Sequence, residues 1–308
     1  CSLESSSRSI GGTFQATGAG EGSVIATAGD ATGSVPVTVA PGELTAIRIQ
    51  LEDATFAAGD EIPLEAVGLD AYGNSLPVTP EWTVSAALGP IESEPARFLP
   101  RTVGAGFLLA SVDSIAAQQA IEVVPGSPAE LELEPASANV VAGETLPFTT
   151  TVRDAFGNPI DATAALSLGA DLGTLSEDGV FSAEQAGNGV LRASFDDLSA
   201  ESNLTVLPAR MERVEIQPGA TIEATAGDAV PLRLLGFDAF GNPVRATVSW
   251  TLEPALGPID PDQVFMPEKA GVASLTGKIV QDRTGQTFLR TAEVSVVAGA
   301  TTNLSVLP

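Results

Sequence analysis

The chain is predicted to be all-β, built as a tandem series of sandwich domains, and three observations carry that reading. A five-residue string recurs at a fixed interval: Asp70-Ala71-Tyr72-Gly73-Asn74, Asp154-Ala155-Phe156-Gly157-Asn158 and Asp238-Ala239-Phe240-Gly241-Asn242 lie 84 residues apart. Self-similarity at a constant period marks one structural unit copied in tandem. Flanking strings keep the same interval, with Ala58-Gly59-Asp60, Ala142-Gly143-Glu144 and Ala226-Gly227-Asp228 upstream and Leu88-Gly89, Leu172-Gly173 and Leu256-Gly257 downstream. Within each unit the apolar runs are short, alternate with polar residues and are bounded by Gly, Pro, Asn and Asp, while no segment holds a helical period.

The second unit shows the strands in order. Leu131 to Leu133 alternates with glutamates, and Phe148 to Val152, Leu166 to Leu168, Val180-Phe181, Val190 to Ala193 and Leu204 to Val206 follow at short intervals. About seven strands in such a unit fit an immunoglobulin-like sandwich, and a unit of this size buries enough surface to fold alone. Trp82 and Trp250 fall at equivalent positions with Leu166 between them, read as a core position of the sandwich.

Boundaries follow from Val39-Ala40-Pro41-Gly42, Val123-Val124-Pro125-Gly126, Val206-Leu207-Pro208-Ala209 and Val296-Val297-Ala298-Gly299, each read as a last strand and a linker. Complete domains are expected over residues 42–124, 125–207 and 208–298, in an elongated array. The third is longer, and its extra residues near Gln281 to Thr287 are read as a hairpin extension. Linkers this short, carrying proline, keep neighbours from swinging freely. Residues 1–41 read as the C-terminal half of a domain, and residues 299–308 as the first strand of a further or donated one, since Ala300 to Pro308 matches Ser127 to Pro135. Two readings of these ends stay open. One is an excerpt from a longer array; the other is assembly by strand addition, with Leu304 and Val306 on one face of a donor strand Thr302 to Leu307 that completes the sheet at Gly12 to Val39 of another molecule.

Charge excludes some functions. Fourteen Lys and Arg stand against 39 Asp and Glu, a formal net charge of -25, so the surface repels phosphate and nucleic acid is not a partner. The chain has no histidine and one cysteine, Cys1, which rules out Ser-His-Asp, Cys-His and histidine-zinc sites. Carboxylate pairs such as Asp196-Asp197 or Glu92 and Glu94 read as solvated surface acids. No enzyme activity and no resident cofactor are expected, and no run of 18 apolar residues offers a membrane span.

The recurrent string has two readings. Asp70 with Asn74, Asp154 with Asn158 and Asp238 with Asn242 are candidate calcium ligands, one oxygen-ligated site per domain on an acidic chain. Structurally, Asp caps a turn through nearby backbone N–H groups, Gly supplies positive φ, and Tyr72, Phe156 and Phe240 pack under the turn or against the adjoining domain. No cluster carries the three or four carboxylates of a dedicated calcium loop, so no metal site is favoured.

The run of Ala-Gly-Asp or Ala-Gly-Glu, a strand, Asp-Ala-Phe-Gly-Asn-Pro and a strand ending in Trp250 resembles the bacterial immunoglobulin-like (Big) repeats of invasin- and intimin-type surface proteins. Gly179-Val180-Phe181-Ser182-Ala183 with Ala186-Gly187 is similar to the second half of group-two Big domains. The resemblance implies a non-enzymatic stalk or filament on the bacterial cell surface, with further copies or adjacent immunoglobulin-like domains as partners. A host or matrix ligand gripped by domain loops is the alternative, and Gln281 to Thr287 is the loop that departs from the repeat. Cys1-Ser2 and the polar residues after it resemble the mature start of a bacterial lipoprotein, which makes Cys1 a lipid-attachment candidate and that lipid the one route to a membrane; an arbitrary boundary is the other reading of Cys1.

Overall fold

A computed structural model describes residues 11–85 and 87–300, and every described regular element is a strand. The first two, β1 (Gly20–Ala28) and β2 (Ala31–Val39), form an antiparallel hairpin in register from Gly20 opposite Val39 to Ala28 opposite Ala31. Val24, Ile25 and Val35 on it are exposed.

Repeat one follows with β3 (Ala46–Gln50), β4 (Thr55–Ala57), β5 (Ile62–Pro63), β6 (Glu65–Leu69), β7 (Ser75–Pro77), β8 (Glu81–Val84), β9 (Ile91–Ser93), β10 (Ala96–Phe98), β11 (Gly104–Val112) and β12 (Ile115–Val124). Repeat two comprises β13 (Pro128–Glu134), β14 (Ser137–Val141), β15 (Thr145–Pro147), β16 (Thr149–Asp154), β17 (Pro159–Ile160), β18 (Ala165–Leu168), β19 (Gly173–Leu175), β20 (Val180–Ala183), β21 (Gly187–Phe195) and β22 (Leu198–Leu207). Repeat three comprises β23 (Arg213–Gln217), β24 (Thr221–Thr225), β25 (Val230–Pro231), β26 (Arg233–Phe237), β27 (Pro243–Val244), β28 (Ala246–Glu253), β29 (Val264–Phe265), β30 (Gly271–Gln281) and β31 (Thr287–Val297).

One topology appears three times. A three-stranded sheet has the order β3-β6-β7, then β13-β16-β17, then β23-β26-β27. A four-stranded sheet has the order β4-β12-β11-β8, then β14-β22-β21-β18, then β24-β31-β30-β28. The outermost strand of each four-stranded sheet, β4, β14 or β24, pairs parallel to the last strand of its repeat. A small ribbon, β5-β10-β9, β15-β20-β19 or β25-β29, completes each repeat. These are immunoglobulin-like sandwiches, in which alternate residues of each strand face inward.

The alternation is visible in the buried residues. In repeat one Phe56, Leu64, Phe98, Leu108, Ile121 and Val123 form the core, with Trp82 packed against it. Ile222, Leu232, Phe265, Leu275 and Val294 do the same in repeat three, with Trp250 packed against them. The position of these tryptophans places a large residue opposite a small one across the strand pair: Trp82 faces Ala110, Leu166 faces Ala193 and Trp250 faces Gly277. By compactness, Val152–Ala162 groups with the unit that runs up to Glu130, while Leu131–Thr151 groups with the unit that resumes at Thr163. The turn of repeat two therefore packs with the repeat before it.

Candidate functional site

The recurrent Asp-Ala-aromatic-Gly-Asn string sits in the turn between the second and third strands of each three-stranded sheet. Gly73, Gly157 and Gly241 take φ of 83°, 83° and 85°, the left-handed region that disfavours a side chain. In the middle turn Gly157 N–H donates to Asp154 O at 3.0 Å and Asp154 N–H to Asn158 O at 3.0 Å. Asp154 Oδ1 accepts from the N–H groups of Phe156 and Asn158, both at 2.9 Å. Its Oδ2 accepts from the linker residue Gly126 at 2.9 Å and from Asn158 Nδ2 at 2.7 Å. Asp70 makes the same four bonds with Tyr72, Asn74, Gly42 and Asn74 Nδ2. Asp238 makes them with Phe240, Asn242, Ala209 and Asn242 Nδ2.

All three aspartates are buried, at 4%, 2% and 3% exposure. Burial alone would raise a carboxyl pKa, and at Asp154 it is the largest influence, yet the Asn158 amide and the N–H groups of Gly126, Asn158 and Phe156 outweigh it and leave the group below the usual carboxylate value. At Asp70 the Asn74 amide, followed by Gly42 N–H, holds the carboxyl well below that range.

The asparagines reach out of their own repeat. Asn158 Nδ2 donates to Arg101 O at 2.7 Å and its Oδ1 accepts from Val103 N–H at 3.2 Å, both on the loop before β11. Asn242 Nδ2 donates to Glu184 O at 2.8 Å and its Oδ1 accepts from Ala186 N–H at 2.7 Å, before β21. Asn74 pairs with Thr17 O at 3.1 Å and Ala19 N–H at 2.8 Å, before β1. Only a neutral amide offers two donors and an acceptor in this arrangement, one donor turned to its own aspartate and the remaining pair turned to the neighbouring backbone. The aromatic residue completes the junction. A side chain built at Gly59 would meet the Phe156 ring at 3.2 Å, and one at Gly143 would meet the Phe240 ring at 3.1 Å. Arg101 lies 5.9 Å from the Phe156 centroid, within cation–π range.

The six calcium-ligand candidates thus come together in three Asp–Asn pairs. Each carboxylate accepts four hydrogen bonds and each amide oxygen accepts one, so a cation with its six to eight oxygen ligands would have to displace them. No group of three or more acidic, His or Cys residues is arranged to hold a metal among the described residues. Cys1, Leu304 and Val306 lie outside the described residues.

The loop that departs from the repeat is also tied to a junction. Gln281, 2% exposed, accepts through Oε1 from Met211 N–H at 3.1 Å and Thr284 Oγ1 at 2.8 Å, and donates through Nε2 to Ala209 O at 3.0 Å. Arg283 donates to Pro208 O at 2.7 Å. The hairpin extension therefore folds onto the linker before repeat three. Sequence reasoning missed the receiving groups, because backbone carbonyl and N–H groups carry no residue signature; the one available signal was the constant spacing of Gly59 and Gly143 to the following turn.

No protein-family model matches the chain. A curated protein, Ice-binding protein 1 of Shewanella frigidimarina (strain NCIMB 400), is 25% identical over 288 residues, covering 89% of this chain and 32% of that protein. Among solved structures, the chain is similar to InvD of Yersinia pseudotuberculosis, with a TM-score of 0.46, 15% identity and coverage of 80% of this chain and 97% of that one. It is also similar to FdeC, an Escherichia coli adhesin, with a TM-score of 0.42, 18% identity and coverage of 84% and 100%.

Proposed function

We propose that the chain is a non-enzymatic part of a bacterial cell-surface protein, in which tandem sandwiches act as a stalk or filament that fixes the spacing of other elements. One observation carries this reading: the asparagine of the recurrent Asp-Ala-aromatic-Gly-Asn string donates to the backbone of the segment preceding its own repeat, three times over. Groups so engaged are not available to activate a substrate. They oppose hinging at the linker instead. The surface location rests on the resemblance of the repeat to Big domains and on the acidic composition. Protease treatment of intact producing cells tests it: the chain should be cleaved while cytoplasmic markers survive, and full protection would reject the location.

A second reading, a binding module, has one observation in its favour. A cleft of about 770 Å³ in repeat one is lined by Gln50, Glu65, Trp82, Thr83 and Glu94, a volume within the range of small-ligand sites. A glycan array probed with the chain and with Trp82→Ala separates the two readings, because a stalk gives no Trp82-dependent signal. Thermal hysteresis in a solution of the chain would instead bring to these repeats the ice binding named for the curated relative.

A further inference from the structure

We infer that the end face of repeat three formed by Gly227, Glu268, Ala270 and Gly299 is an interaction surface for an Asp-x-aromatic-Gly-Asn turn carried by another sandwich repeat. This rests on the junction reading above, and the structure shows the same face twice with its occupant in place.

The three faces are built alike. Ala58, Ala142 and Ala226 donate to Val124 O, Leu207 O and Val297 O, each at 2.9 Å. The next residues, Gly59, Gly143 and Gly227, donate to Pro100 O, Ala183 O and Pro267 O at 2.9, 2.7 and 2.8 Å. The loop that receives the asparagine is pinned by two N–H groups on one leucine carbonyl: Arg101 and Thr102 on Leu88, Glu184 and Gln185 on Leu172, Glu268 and Lys269 on Leu256. By this correspondence Glu268 O and Ala270 N–H stand where Arg101 O and Val103 N–H hold Asn158. Gly299 lies beside Ala226 O as Gly126, which binds Asp154, lies beside Ala58 O.

Among the described residues, two features set the third face apart. Gly59 and Gly143 each seat a phenylalanine ring, whereas no described atom lies within 4 Å of a side chain built at Gly227, whose φ of +100° equals that of Gly59. The apolar residues around it are also exposed. Val297 is 59% exposed and Met266 45% exposed, while the counterparts Val124 and Leu207 are half-buried. Backbone groups in fixed register would select the Asp–Asn pair, and the glycine seat would select an aromatic at the middle position.

The test is hydrogen exchange on the full chain extended after Gly299 by a second copy of residues 127–300, which places the turn of repeat two behind the third face. Amide exchange at Ala270 should slow at least ten-fold, and Asn158→Ala in the added copy should reverse this while the strand around Leu191 of that copy stays protected. Unchanged exchange at Ala270 behind a folded added copy overturns the assignment. An added copy that stays unfolded overturns it as well, because the same residues fold behind Gly126. Failure of the junction reading itself would show elsewhere, as fast exchange at Val103 in the original chain.

Discussion

At Asn158 a single side chain serves two repeats. It neutralises part of the demand of a buried carboxylate and also satisfies a carbonyl and an N–H of the loop before β11. Asn158→Ala strands those groups, and loss of a buried hydrogen-bond partner costs about 1–3 kcal/mol. Urea unfolding should register that loss, with faster amide exchange at Val103 as its local sign; unchanged exchange there would refute the cross-repeat bond. Gly157→Val puts a β-branched residue at a φ of 83° and should cost roughly 1–3 kcal/mol by strain, read from the same midpoints. The carboxylate adds a pH dependence. Because Asp154 is held below its ordinary value, its contribution is fully present above the unfolded pKa, about 4, and is lost as pH falls through the lower folded value. Asp154→Asn should therefore be less stable at pH 7 yet lose less on acidification from about pH 4 downward. A slope equal to that of the wild type would remove the carboxylate from this role. The turn was legible in sequence because Gly and Asx residues are chosen by local backbone geometry. The reach of Asn158 to Arg101 and Val103 was not, since its partners are main-chain atoms 57 and 55 residues away.

At the scale of elements, strands with a regular alternation were legible, whereas β14, a short strand carrying buried Val140, was not among those read from the sequence. Leu131 and Leu133 alternate with Glu130, Glu132 and Glu134, and β13 lies there with both leucines inside. The parallel pairing of β14 with β22 left no such trace, because which edge a short strand joins depends on the sheet and not on its own residues. The hairpin extension of repeat three is a further case: its length was readable, its target was not. Gln281 and Arg283 hold the linker at Pro208, Ala209 and Met211, a clamp joining this linker to its own repeat's longest hairpin. Gln281→Ala leaves Met211 N–H and Ala209 O unpaired, with Met211 fully buried. A loss of about 1–3 kcal/mol is expected, accompanied by faster exchange of the Met211 amide. Arg283→Ala, on an exposed residue, should cost much less, and equal losses for the two would argue against the buried amide as the centre of the clamp.

Across the whole molecule, charge acts on every repeat at once. A formal net charge of -25 on 308 residues repels itself at neutral pH, and that repulsion weakens with ionic strength because the screening length shortens from about 30 Å at 0.01 M to about 10 Å at 0.1 M. Added salt should therefore raise the melting temperature, and calcium salts will do so too whether or not any site binds calcium. Separating the two effects requires matched ionic strength. The Asp70, Asp154 and Asp238 carboxylates already accept four hydrogen bonds each, so calcium would gain those oxygens only by breaking the bonds that join turn, linker and preceding repeat. Calcium chloride and sodium chloride at equal ionic strength should then give the same melting temperature within about a degree, and chelator should change nothing. A specific site would instead stabilise in proportion to the logarithm of free calcium over its dissociation constant, roughly 2.7 kcal/mol at a hundred-fold excess. A melting temperature that climbs with calcium at constant ionic strength, and stops doing so in Asp154→Ala, would establish the metal reading of the turn in place of the hydrogen-bonded one.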